Sequence, residues 1–208
     1  MKPIIGIIER ETKLPSKNEI LYINKEISES ITKSNGIPIS INIENIKEII
    51  NKIDGIILQG GDNYKKEEIN LVKYLYENNI PTLGICLGMQ TMAVTFNGEL
   101  KETNNHLNTN HIVKINKNSK LYKIIQKDNI IVNSRHKFKV KNTNLNITGY
   151  SEDNIPEIIE DKEKQFFIGV EWHPESLKNN DSKKLFDYFI KKAGEYNDTK
   201  RNIKNNTW

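Results

Sequence analysis

Pro81-Thr82-Leu83-Gly84-Ile85-Cys86-Leu87-Gly88-Met89-Gln90-Thr91-Met92-Ala93-Val94-Thr95-Phe96 joins two kinds of periodicity at one residue. Thr82 to Ile85 is a short apolar run that suits a buried strand, while Met89, Met92, Ala93 and Phe96 fall at helical spacing. Cys86 lies between them, with Gly84 and Gly88 on either side. A strand that turns abruptly into a helix needs one residue in a strained conformation and small neighbours that avoid collision. That is the pattern of a nucleophile elbow with cysteine in the serine's place. The turn lifts the thiol out of the sheet and sets it at a helix N-terminus, where unpaired N–H groups and the helix dipole favour the thiolate.

Outward from this stretch, the first hundred residues alternate strands with helices. Pro3–Glu9, Ile37–Ile43 and Asp54–Gln59 read as strands. Ser16–Ser34 carries Ile20, Ile23, Ile27 and Ile31 as an apolar stripe and is predicted to be an amphipathic helix. Glu44–Lys52 and Glu67–Asn79 read as further helices. This alternation predicts an α/β fold with a doubly wound, mostly parallel central sheet flanked by helices, whose ligands lie beyond the carboxyl ends of the strands. After Glu99 come short strands at His111–Ile115, Ile130–Val132, Leu145–Tyr150, Glu157–Glu160 and Gln165–Glu171, and then a helix over Asp181–Ala193. We expect one domain over residues 1–193 and a polar, mobile tail over 194–208.

Composition narrows the possibilities further. The chain has 208 residues, 36% hydrophobic and 28% charged, enough for one well-filled domain. Its single cysteine excludes an intramolecular disulfide and fits a reducing compartment. No apolar run approaches membrane-spanning length, and the opening MKPIIGIIER is too briefly apolar for a signal peptide, so a cytoplasmic location is expected. The net charge of +4 is spread as lysines among glutamates with no aromatic interleaving, which argues against a nucleic-acid partner.

The chemistry converges on two places in the chain. Glu171-Trp172-His173-Pro174-Glu175 follows an apolar strand, so His173 belongs on the same sheet edge as the elbow. A thiol nucleophile needs a base, and the base needs a third group to orient it; His173 and Glu175 suit these roles. His106 and His111 have no Cys or carboxylate near them at metal-ligand spacing, and no metal site is expected.

Gly84-Ile85-Cys86-Leu87-Gly88-Met89-Gln90, with Trp172-His173-Pro174-Glu175 downstream, resembles the class I glutamine amidotransferase superfamily, with its flavodoxin-like fold and Cys-His-Glu triad. The Pro3-Ile4-Ile5-Gly6-Ile7 opening, Leu58-Gln59-Gly60-Gly61-Asp62 and Val132-Asn133-Ser134-Arg135-His136 look like its free-standing gamma-glutamyl hydrolase branch, which includes gamma-glutamyl-gamma-aminobutyrate hydrolase. The resemblance implies Cys86 as nucleophile, His173 as base and then acid, and Glu175 as orienting carboxylate. It implies oxyanion donors at the Leu87 N–H and in the Gly60-Gly61 loop, and contact between Gln90 and the gamma-glutamyl group. Asn133, Ser134, Arg135 and His136 would line the same edge, with Arg135 or His136 meeting a substrate carboxylate. Leu87 departs from the arginine frequent in the gamma-aminobutyrate hydrolases, and leucine there is common in amidotransferase subunits.

The expected function is therefore hydrolysis of a small gamma-glutamyl amide through a thioester, with no cofactor. The alternative is a glutaminase subunit that hands ammonia to a separate synthetase. The chain has no ATP-binding loop with which to serve as that synthetase itself.

Overall fold

The computed structural model describes the backbone of residues 1–205 and the side chains of residues 1–200. The chain begins with strand β1 (Ile4–Ile8), a hairpin of β2 (Arg10–Lys13) and β3 (Glu19–Tyr22), helix α1 (Lys25–Lys33) and strand β4 (Ile37–Ile41). Helix α2 (Ile46–Ile49), with a 3-10 turn at each end, leads to β5 (Gly55–Leu58), α3 (Lys66–Glu77), β6 (Thr82–Ile85) and α4 (Leu87–Thr95). The second half adds β7 (Glu99–Glu102), β8 (Leu107–Ile115), α5 (Lys120–Ile125), β9 (Asn129–Arg135) and β10 (Phe138–Lys141). It closes with β11 (Asn146–Ser151), β12 (Pro156–Glu160), β13 (Phe167–Val170), α6 (Pro174–Leu177) and α7 (Asn180–Asn205).

Nine strands form one sheet in the order β4-β1-β5-β6-β13-β12-β11-β8-β9. From β4 to β13 every neighbouring pair is parallel, and the sequence of those five strands is the doubly wound order of flavodoxin-like folds. From β13 outward the pairs are antiparallel. The central strands are apolar on both faces because helices cover both. In β5, Ile57 faces a core shared with Ile27 and Ile31 of α1 and with Leu185, Phe186 and Phe189 of α7. Ile56 and Leu58 point the other way, into a core with Leu71, Val72 and Leu75 of α3 and Met89, Met92 and Ala93 of α4. Among the described residues no helix is long and apolar enough to cross a membrane.

Three features depart from the sequence expectation. The stretch read as a helix over Ser16–Ser34 divides: residues 19–22 pair with residues 10–13 as a hairpin, and α1 starts only at Lys25. Ile20 and Ile23 share the helical spacing by coincidence. The true start is Asn24, whose side chain accepts from the Glu26 N–H as an N-cap, and only Ile27 and Ile31 are fully buried. The tail read from Gly194 is helical as far as it is described, since α7 runs on to Asn205; residues 206–208 lie outside the described residues. Lys200 ties this extension down by donating to the Ile53 carbonyl at 2.7 Å and to Asp54 at 3.3 Å. Finally, the charged segments of β7 and β10 pair as a two-stranded ribbon with little apolar alternation to announce it.

Candidate active site

Three neighbouring strands of the parallel half end side by side, and each delivers one part of the site. The register sets Leu58 opposite Gly84 and Ile85 opposite Val170, so the segments after β5, β6 and β13 leave the sheet together. They carry Gly60-Gly61, Cys86 and His173.

Cys86 has φ 50° and ψ −109°, a conformation costly for any residue with a side chain. Its strain is held from both sides: the Cys86 N–H donates to the Val170 carbonyl at 2.8 Å, and its own carbonyl accepts from the Gln90 N–H at 3.0 Å. The flanking glycines are a packing requirement. A Cβ on Gly84 would lie 2.8 Å from the Gly88 carbonyl carbon and the Met89 nitrogen, and one on Gly88 would lie 1.9 Å from the Leu58 carbonyl oxygen. The elbow helix thus rides directly on the end of β5.

His173 Nδ1 lies 2.8 Å from Glu175 Oε1, and Glu175, 3% exposed, also accepts from Asn24 Nδ2 at 3.3 Å. A carboxylate at Nδ1 holds the proton there and leaves Nε2 as the free base. Pro174 opens α6, so a single turn brings the carboxylate back beneath the ring. A Cβ on Gly60 would lie 2.8 Å from His173 Cε1 and 3.7 Å from Cys86 Cβ, so the imidazole and the elbow both pack against the bare face of this glycine.

Burial, and after it the charge of Glu171, pushes the Cys86 thiol well above its ordinary range, while the Leu87 N–H that hydrogen-bonds it pulls the other way. The thiolate expected from the helix N-terminus is therefore outweighed by desolvation, and the resting thiol keeps its proton. Alkylation of Cys86 by iodoacetamide is expected to be slow at about pH 7 and still climbing at about pH 9. A rate that has already levelled off at neutral pH would show the opposite.

Asn133 stands beside His173. Its Oδ1 accepts from the His173 N–H at 2.8 Å and its Nδ2 donates to the His173 carbonyl at 3.0 Å, a reciprocal clasp on the backbone. The other residues of that segment point elsewhere. Ser134 is buried and donates to the His106 carbonyl at 2.7 Å. Arg135 is exposed and reaches Ser176 at 3.4 Å. His136, 2% exposed, stands between Glu171, 3.6 Å from its Nδ1, and a cluster of histidines, with His106 2.9 Å from its Nε2. Gln90 is also engaged inside the protein: its amide donates to Glu171, whose carboxyl burial pushes up to about 8, and to the Phe138 carbonyl at 3.3 Å.

Arg10 had no place in the reading from sequence. It is 5% exposed and ion-paired with Glu68, and it donates to the Gln59 carbonyl at 2.7 Å and the Gly60 carbonyl at 3.3 Å. Across a planar trans peptide, a Gly60 carbonyl turned towards Arg10 points the Gly61 N–H away from it. Gln59 completes the brace by donating to the Ile8 and Tyr22 carbonyls and accepting from the Asn24 N–H. The clue in the sequence was slight, since an arginine just after a strand is usually solvated. Arg10→Met strands the Glu68 carboxylate and is expected to cost about 3 kcal/mol in a urea melt, most of it restored in the double variant with Glu68→Leu.

A doubly wound sheet with a strained cysteine and a His–Glu pair at its carboxyl edge defines an elbow-type α/β protein. Residues 20–193 match the family model for glutamine amidotransferase class-I, and the chain belongs to that family. It is 31% identical to a CTP synthase of Buchnera aphidicola subsp. Schizaphis graminum, an alignment covering 98% of this chain and 46% of that one. It is 27% identical to a glutamine amidotransferase-like protein of Rickettsia prowazekii over 86% of this chain and 93% of that protein. The chain thus spans less than half the length of that CTP synthase. Among solved structures, the glutaminase domain of Trypanosoma brucei CTPS with bound acivicin superposes with a TM-score of 0.71 at 16% identity, over 93% of this chain and 94% of that one. A GMP synthase component from Thermoplasma acidophilum superposes with a TM-score of 0.77, also at 16% identity, over 96% and 98%. At such identities these two establish the fold.

Proposed function

We propose that this chain is a glutaminase that supplies ammonia to a synthetase partner. The observation that carries the reading is the strained Cys86 packed on the same face of Gly60 as a histidine whose Nδ1 is held by Glu175. In the proposed reaction His173 takes the thiol proton as Cys86 Sγ bonds to the amide carbon of glutamine. The Leu87 and Gly61 N–H groups receive the oxyanion. His173 then gives its proton to the departing nitrogen, the C–N bond breaks, and ammonia leaves a glutamyl thioester. Water, deprotonated by the same imidazole, cleaves the thioester to glutamate and restores the thiol. Asn133 and Arg10 act as positioning residues, one for the base and the other for the oxyanion loop.

CTP synthase relatives favour glutamine itself as the substrate over a gamma-glutamyl amine. Similarity to part of the CTP synthases also favours coupling to a synthetase over a free-standing hydrolase. Leu21 and Tyr22 of the β2–β3 hairpin and Tyr64 beyond Gly61 are exposed and line one cleft on the Gly61 side, a surface suited to such a partner.

Acivicin is expected to label Cys86, and the purified chain is expected to release glutamate slowly from glutamine and faster when a synthetase partner is added. Rapid cleavage of a gamma-glutamyl amine in preference to glutamine would overturn the assignment.

A further inference from the structure

Behind the elbow helix, the antiparallel half of the sheet encloses three histidines and a glutamate that the proposed reaction does not use. His106 precedes β8, His111 lies within it, His136 follows β9 and Glu157 lies in β12. Glu157 is fully buried, and neither of its carboxylate oxygens has a hydrogen-bond partner. Both ring nitrogens of His111 also lack one. Around Glu157 Oε1 stand His111 Nε2 at 3.1 Å, His106 Nδ1 at 3.4 Å and His136 Nε2 at 3.5 Å. Three imidazole nitrogens thus converge on one oxygen of this fully buried acid.

The tautomers can be worked out from the outer partners. His136 Nδ1 lies 2.8 Å from the Phe138 carbonyl, which only accepts, so that nitrogen carries the proton. His106 Nε2 lies 3.2 Å from both oxygens of Asp153 and is a donor by the same reasoning. In the neutral rings the inward nitrogens, His106 Nδ1 and His136 Nε2, are then both lone-pair acceptors, and they face each other at 2.9 Å. Two lone pairs and a buried carboxylate require positive charge between them.

The geometry points to a divalent transition-metal site, with Zn²⁺ the best match, held by His106 Nδ1, His111 Nε2 and Glu157 Oε1, with His136 Nε2 beside two of these atoms. A tetrahedral ion with bonds of about 2.0–2.1 Å sets its ligand atoms roughly 3.3 Å apart. Four ligand-to-ligand distances here run from 2.9 to 3.5 Å. The candidate ligand atoms of His106, His111 and Glu157 all lie within 4.8 Å of one another. Imidazole nitrogens suit zinc, copper or nickel and disfavour magnesium and calcium. The Asp153–His106 and Phe138–His136 contacts are the outer hydrogen bonds that orient metal-bound histidines. The role of the site is to pin β8, β12 and the β9–β10 turn to one another. It stands independently of the glutaminase assignment.

The test uses the full chain carrying Cys86→Ala, which removes the only thiol. After chelator treatment, equilibrium dialysis against Zn²⁺ with elemental analysis is expected to give one ion per chain. Glu157→Gln and His111→Ala are expected to weaken binding by about 100-fold or more, with circular dichroism reporting on folding; His111 lies at the edge of the cluster and tolerates truncation best. Co²⁺ in the chain with the cluster intact is expected to give the intense visible bands of a tetrahedral centre, a readout that needs no cluster variant. No bound Zn²⁺, undiminished binding in both variants, or the weak spectrum of an octahedral cobalt ion would overturn the site and leave a proton shared between His106 and His136 in its place.

Discussion

Cys86→Ala is expected to lower glutamine hydrolysis by about 10⁴-fold or more while leaving the unfolding transition in place. The size follows from the division of labour at the sheet edge. In the proposed reaction no thioester forms without the sulfur, and His173, Glu175 and the backbone donors are left to assist direct attack by water. The fold is spared because the side chain removed is small and the strain of the elbow resides in the backbone, which alanine can follow at similar cost. Glu175→Gln should act more gently, since an amide can hold the ring but stabilises the imidazolium poorly; a loss of about 10²- to 10⁴-fold in kcat is expected. Glutamate release by purified Cys86→Ala, beside its urea melt, separates chemistry from folding. Unchanged turnover would remove the nucleophile from the mechanism, and a collapsed melt would assign Cys86 to the core.

Gly88→Ala is expected to have the opposite character, with a loss of about 4 kcal/mol or more of stability. The methyl carbon would fall 1.9 Å from the Leu58 carbonyl oxygen and 2.7 Å from its carbon. Both are backbone atoms of a central strand, and Leu58 is fully buried. No side-chain rotation relieves such a contact, so α4 must lift from β5 and carry Cys86 and the Leu87 N–H with it. Activity should therefore fall in the fraction that remains folded as well. Denaturant melts read the first effect, and acivicin labelling per folded molecule reads the second. A melt within about 1 kcal/mol of the parent would mean that the elbow yields more easily than its packing implies.

What could be read from the sequence was what is decided over short distances along the chain. Gly84, Cys86 and Gly88 share one turn, and their sizes report the crowding there directly. The apolar runs at Ile4–Ile8, Gly55–Leu58 and Thr82–Ile85 are buried on both faces, so they stand out without knowledge of their partners. His173 and Glu175 are two residues apart with proline between them, and their meeting needs only a local turn. Helix α1 was legible from Ile27 and Ile31, but its start was misplaced because Ile20 and Ile23 fit the helical period while tertiary pairing drew residues 19–22 into a hairpin.

Only the tertiary structure decided the rest, because it depends on segments brought together from far along the chain. Asn133 reaches the His173 backbone across 40 residues, and Arg10 reaches the Gly60 carbonyl across 50. His106, His111, His136 and Glu157 meet because β8, β9, β11 and β12 pair antiparallel, a register set by cross-strand packing that no spacing in the sequence records. The same sequence thus announces its elbow cysteine locally and conceals its histidine cluster. The elbow's signature lies within five residues, although the contact that requires Gly88 is with Leu58, whereas the cluster is a consequence of strand order.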